Sequence, residues 1–210
     1  MGTTLTNLSL QLPDGGIKDV DINSAAGIKP SKLEQQATQV FDIPLTDARV
    51  WDDFRALVPS TAANDDLGLI TGTWGTDTPT LQSGDGKATT ITRRAGFAFR
   101  VPHNFVSAGT LVIRVRGGMV TTISDDVASV DLEVYEADLD GGVGSDLCQT
   151  SAVSVNSLTK VNADFTIDSS GLVAGDLLYL RLTAAITDAA TGTAVIVEVS
   201  DINARLTTQG

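Results

Sequence analysis

Residues 170–199 read SGLVAGDLLYLRLTAAITDAATGTAVIVEV, two alternating apolar runs joined by a connection of small residues. In the first run Leu178, Leu180 and Leu182 fall on one side of an extended chain, and Tyr179, Arg181 and Thr183 fall on the other, because successive strand side chains point to opposite faces. In the second, Val195, Val197 and Val199 share a face opposed by Ile196, Glu198 and Ser200. Both runs read as half-buried antiparallel strands. As a hairpin they set Arg181 across from Glu198, a favourable outer-face pair.

The same alternation recurs upstream. Phe97, Phe99 and Val101 alternate with Ala98 and Arg100; Leu111, Ile113 and Val115 alternate with Val112, Arg114 and Arg116; Val130, Leu132 and Val134 alternate with Asp131, Glu133 and Tyr135. Read as a meander, the outward arginines of one strand meet the outward acids of the next and set register. Further strands are expected near residues 67–74, around Leu81, near residues 148–155 and over 161–167, with hairpin chemistry at Gly84-Asp85-Gly86. Residues 47–58 fit either a strand and loop or a helix carrying Val50, Phe54, Leu57 and Val58 on one stripe. Eight to ten short strands from Ile43 onward suit two packed sheets. The expected fold is all-β: an antiparallel, jelly-roll-like β-sandwich over residues 41–210, preceded by an extended N-terminal arm over residues 1–40.

Composition agrees. The chain has 210 residues, 42% hydrophobic and 19% charged, with 20 glycines to serve many turns. Aromatic residues make up 5%, so the core must be built from Val, Leu, Ile and Ala. A formal net charge of −12 opposes direct binding to nucleic acid, which needs a lysine and arginine footprint, and opposes an anionic membrane surface. The single cysteine, Cys148, excludes an intramolecular disulfide and a cysteine-built zinc site, and reads as a small hydrophobe at a strand start. The opening MGTTLTNLSL lacks a basic region and an apolar core, so no secretory signal is expected. MGTTLT formally matches the myristoylation pattern, but nothing polybasic follows to supply a second membrane signal. With no apolar run near the ~20 residues of a membrane span, the chain reads as soluble.

Residues 1–40 are polar and turn-rich, with an alternating Leu8, Leu10 and Leu12 that cannot form a core alone. Residues 19–33, DVDINSAAGIKPSKL, also fit a capped turn followed by a brief helix at residues 31–39. This stretch resembles a short connector in the N-terminal regions of tailed-phage fibre, decoration and other virion proteins. Over residues 41–210, IPLTDARVWDDF, TAANDDLGLITGTWGTD, LTKVNADFTI and GLVAGDLLYLRLTAAITDAATGTAVI together resemble uncharacterised β-sandwich proteins encoded beside capsid genes in phage genomes. The resemblance implies a virion structural protein, a capsid decoration or head-fibre subunit on the capsid surface. It would attach through the arm to the major capsid protein or other virion subunits. It implies a homo-oligomer, a trimer for preference, in which arm strands pair with edges of neighbouring copies.

The candidate constellations are few. Asp138, Asp140 and Asp146, with Asp125 and Asp126, could offer oxygens to calcium, but the spacing fits no EF-hand and a solvated acidic turn is the simpler reading. Asn64-Asp65-Asp66 is a weaker version of the same pattern. His103, the only histidine, reads as a loop-tip residue with no partners for a triad. No catalytic, cofactor-binding or metal residue is therefore assigned, no cofactor is expected, and an enzyme is disfavoured. Trp51 and Trp74 could form a sugar-stacking platform, although large buried core anchors are the simpler reading. A carbohydrate-binding or adhesion module on the same fold is the alternative function, since sandwiches host both roles.

Overall fold

The computed structural model describes residues 36–137, 140–190 and 192–209. In chain order the described strands are β1 (Gln36–Asp42), β2 (Arg49–Val50), β3 (Asp53–Leu57), β4 (Gly68–Ile70), β5 (Thr80–Gln82), β6 (Thr90–Arg100) and β7 (Leu111–Met119). They continue with β8 (Val127–Ala137), β9 (Val143–Asp146), β10 (Val153–Ser154), β11 (Val161–Thr166), β12 (Leu177–Thr187) and β13 (Val197–Gln209). Among the described residues a 3-10 turn, Leu45–Asp47, is the helical element.

The strands form two antiparallel sheets. One runs β11-β7-β13-β5-β4 with β1 added on β13; the other runs β10-β8-β12-β6-β2-β3 with β9 added on β8. This is the expected all-β sandwich. Alternation places the core as read: Leu178, Leu180 and Leu182 of β12, Val197 and Val199 of β13, and Val195 just before β13 are all buried. Phe97 and Phe165 add the largest rings to that interior.

The pairing differs from the expected hairpin and meander. β12 lies between β6 and β8 in the seven-stranded sheet, whereas β13 pairs with β7, β5 and β1 in the other. The two runs of residues 170–199 therefore face each other across the core rather than side by side. The physical reason is the link over residues 188–196, too long for a tight hairpin turn and long enough to cross the ~10 Å between sheets. Its far end is fastened to the chain after β5: Gly86 N–H donates to Val195 O at 2.8 Å, Ser83 N–H to Val197 O at 3.0 Å, and Val197 N–H to Ser83 Oγ at 3.0 Å.

Successive strands β6, β7 and β8 likewise alternate between sheets. The outer-face ion pairs thus exist with other partners than expected. Arg181 pairs with Glu133 of β8, not with Glu198. Arg114 makes a bidentate contact with Asp164 of β11, 2.6 Å at both nitrogens. Glu198 pairs with Lys160 and accepts from Gln82 at 2.8 Å and Thr80 at 3.2 Å.

Two predictions arise from these pairs. Arg114→Glu is expected to lower stability by about 1 kcal/mol or less, because Asp164 is half exposed and such pairs contribute little in water; a urea melt measures it. For Glu198, burial raises the carboxyl pKa, but the bonds from Lys160, Gln82 and Thr80 outweigh it and hold the group below its ordinary value. A depressed folded pKa means stability that is complete above the ordinary glutamate value of ~4.3 and is lost as the pH falls below it. Glu198→Gln is expected to flatten that acid-side loss in thermal melts between pH ~5 and ~3.

At the N-terminal side, β1 pairs along its whole length with the end of β13, from Gln36 opposite Gln209 to Asp42 opposite Asn203. The sheet therefore takes in residues 36–40, on the near side of the boundary drawn from composition. Residues 36–39, which also fitted a brief helix, are strand. Leu8, Leu10, Leu12 and the connector over residues 19–33 lie outside the described residues. The region 47–58 resolves as strand and loop, not helix.

Candidate functional site

The β2–β3 hairpin lies at the edge of the seven-stranded sheet, and two of its rings, Trp51 from the turn and Phe54 from β3, pack against side chains of β6 and β12. Trp51 sits with Arg94 Cζ 4.9 Å and Arg181 Cζ 5.2 Å from its ring centroid. Its indole Nε1 donates to Asp65 Oδ2 at 2.9 Å, and Arg94 reaches the same oxygen at 3.4 Å. Phe54 meets Tyr179 edge to face, with centroids 5.3 Å apart at 74°. Tyr135 stands opposite Tyr179 in the β8–β12 register, and its hydroxyl donates to Glu133 Oε1 at 3.1 Å. Burial, then the negative charge of Glu133, pushes the Tyr135 phenol up from its ordinary value. Trp51, Phe54, Tyr135, Tyr179, Leu180 and Arg181 line a groove of about 170 Å³.

Local sequence explains why the β2–β3 hairpin sits there. Asn64 takes a positive φ of 51° in the TAANDD turn, which carries Asp65 and Asp66 alongside β6 in an isolated parallel bridge between Asp66 and Arg94. Arg94 N–H donates to Asp65 O at 2.7 Å and Leu67 N–H to Arg94 O at 2.8 Å. Asp66 is 8% exposed; burial raises its carboxyl pKa, partly offset by the backbone N–H of Trp51. The turn thus holds Trp51 by its ring nitrogen and by its backbone. Phe54 is seated by Gly96 of β6, where a Cβ would lie 2.6 Å from Phe54 Cζ and 2.9 Å from Cε2.

That close approach makes a prediction. Gly96→Ala is expected to swing Phe54 off the sheet and out of its contact with Tyr179, at little cost in stability because Phe54 is already 41% exposed. The ring resonances of Tyr179 in an NMR spectrum check it: they should shift while the melting temperature stays near that of the parent chain.

The acidic candidates do not assemble. Among the described residues, no group of three or more His, Cys, Asp or Glu side chains is placed to hold a metal ion. Asp138 lies outside the described residues. Asp146 Oδ1 accepts the backbone N–H groups of Val134 and Cys148, each at 2.9 Å. Asp125 Oδ1 accepts from Ala189 N–H at 2.9 Å, and Asp65 is engaged with Trp51 and Arg94. His103 is exposed on the turn after β6. Cys148 is half buried beside an isolated bridge to Ile167, and burial pushes its thiol pKa up.

The two tryptophans depart from the core-anchor reading. Trp51 is half buried on an outer face and Trp74 is fully exposed, so neither builds the interior. Phe54, Tyr135 and Tyr179 were missed as site residues. Both tyrosines were legible as outward, but their meeting depends on β8 pairing with β12, which alternation does not reveal.

No protein-family model matches the chain, and no curated protein matches it. Solved structures with some likeness include the xylan-binding module CBM15, 15% identical, covering 83% of this chain and 100% of that one, with a TM-score of 0.46. Another is the CBM22-1 xylan-binding domain of Paenibacillus barcinonensis Xyn10C, 14% identical, covering 69% and 83%, with a TM-score of 0.39. A third is a Family 16 Carbohydrate Binding Module-2, 11% identical, covering 70% and 88%, with a TM-score of 0.34. At these identities and scores the fold is read from this chain's own strand pairing, and its function from its own side chains.

Proposed function

We propose that the sandwich is a non-catalytic glycan-binding module whose ligand lies along the outer face of the seven-stranded sheet. The observation that carries this reading is the convergence of Trp51, Phe54, Tyr135 and Tyr179 outside the core, in a chain whose aromatic share is 5%. Pyranose rings offer apolar C–H faces and a rim of hydroxyls. Flat rings stack on the faces, and hydrogen-bonding groups held at fixed angles read the rim. Arg181 paired with Glu133, and Arg94 paired with Asp65, give such donors and acceptors. Because each guanidinium is already balanced by a carboxylate, the face suits neutral sugars better than uronates or sulfated chains.

Retention of the full chain on an array of neutral and acidic polysaccharides tests the proposal. Selective retention on a neutral glycan is expected. No retention on any glycan, or retention unchanged after loss of both Trp51 and Tyr179, overturns it.

Virion assembly is a separate proposal that rests on the sequence resemblance alone. A displayed sandwich carrying a glycan-binding face is compatible with it. A stoichiometric band in purified particles and mass measurement in solution test attachment to capsid subunits and the trimer.

A further inference from the structure

Trp74 has 100% of its ordinary exposure, on the turn between β4 and β5 of the six-stranded sheet. An indole left wholly in water gains none of the burial that makes tryptophan worth keeping in a fold. Nor is it on a loose end. Thr76 N–H and Asp77 N–H both donate to Thr73 O, at 3.0 and 2.9 Å, and Thr73 N–H donates to Asp77 Oδ2 at 2.8 Å. Gly75 takes the positive φ of 82° that closes the turn behind the ring.

The surroundings decide what the ring can meet. Trp74 and Pro79 border a depression of about 750 Å³ whose remaining wall is Thr71, Gly72, Gly75, Thr76, Asp77 and Thr78. A second depression of about 530 Å³ shares Thr76, Asp77 and Thr78 and continues past Thr80 and Gln82 to Glu198. One flat apolar platform is thus followed by a row of hydroxyls, an amide and carboxylates. A protein interface would surround its aromatic anchor with a core of further large apolar side chains; beside Trp74 only Pro79 is apolar, and the other side chains are threonines and Asp77. A membrane surface or a nucleic acid would need cations. Neither depression has a Lys or Arg in its lining, and nearby Lys160 is already paired with Glu198.

The geometry points to a second saccharide contact at Trp74, for a neutral sugar segment, on a different sheet from the face of Trp51 and Tyr179. This inference rests on the glycan-binding reading for its ligand class, and it adds that one domain holds two glycan chains or two stretches of one chain. Two linked contacts raise retention on a polymer well beyond that on a short fragment.

Titration calorimetry of the full chain with neutral β-1,4-linked xylose, glucose and mannose oligosaccharides tests it, alongside retention on the matching polymer. Trp74→Ala and Tyr179→Ala are the variants; full exposure of Trp74 removes any folding cost from the first. The parent chain is expected to take up a second equivalent of sugar that Trp74→Ala lacks, with polymer retention falling on the order of tenfold or more. A single equivalent, unchanged in Trp74→Ala and lost in Tyr179→Ala, overturns this inference and leaves the sheet face standing. A single equivalent lost in Trp74→Ala and kept in Tyr179→Ala sustains the Trp74 contact and removes the sheet-face reading. No uptake of any sugar overturns both.

Discussion

Leu180→Ala is expected to destabilise the sandwich by ~2 to 5 kcal/mol, the range for large-to-small changes in rigid cores. Leu180 is 1% exposed, sits on the central strand β12, and has Phe97 and Val134 as its register partners on β6 and β8. Both neighbours are themselves buried, and strands on both sides hold the backbone in place. The site cannot collapse around the missing methyl groups, so the loss combines the transfer term with a cavity term. Denaturant unfolding measures the change as a fall in midpoint with an unchanged slope. A cost below that of Arg114→Glu would mean that the face carrying Arg114 is buried in an interface.

How far the sequence could be read follows from what strand alternation encodes. It assigned Leu178, Leu180, Leu182, Val195, Val197 and Val199 to the interior and Tyr135, Tyr179, Arg114 and Arg181 to the exterior, because a period of two separates faces directly. It carries no information on which strand lies beside which. The neighbour of Arg181 depends on whether residues 188–196 turn back or cross to the other sheet, and that depends on Ser83, Gly86 and Asp85, about a hundred residues earlier in the chain. Asp85 Oδ1 accepts the backbone N–H of Val195 at 3.0 Å, one of the long-range ties that fix the crossing.

The candidate site was harder to see for the same reason and one more. Trp51 was singled out, but it lies in a stretch whose pattern fitted both helix and strand, since β2 is two residues long and its register with β3 shifts between Arg49 and Val50. Its position is fixed instead by side-chain chemistry: the indole N–H on Asp65, and the neighbouring Phe54 ring over Gly96. Gly96 falls on the outward set of β6, between Arg94 and Ala98. In a strand interior such a glycine signals a close approach by another group, and that signal was present in the sequence.

Tyr179→Ala is expected to weaken binding to the cognate neutral glycan by ~30-fold or more, about 2 kcal/mol, the scale of an aromatic anchor at the centre of a contact patch. Tyr179 touches Phe54, stands opposite Tyr135, and precedes Arg181 on β12, so it lies at the middle of the groove. Its removal takes away one ring and frees Phe54 from its edge contact, while the inward residues of β12 are untouched. Stability should therefore fall far less than in Leu180→Ala. The change separates recognition from folding when isothermal titration and thermal melts are run on the same sample. Tyr179→Phe keeps the ring and removes the hydroxyl. Affinity near that of the parent chain in Tyr179→Phe assigns the effect to stacking, and a loss equal to that of alanine assigns it to the hydroxyl. Undiminished affinity in Tyr179→Ala would remove the outer face of the seven-stranded sheet as the glycan site.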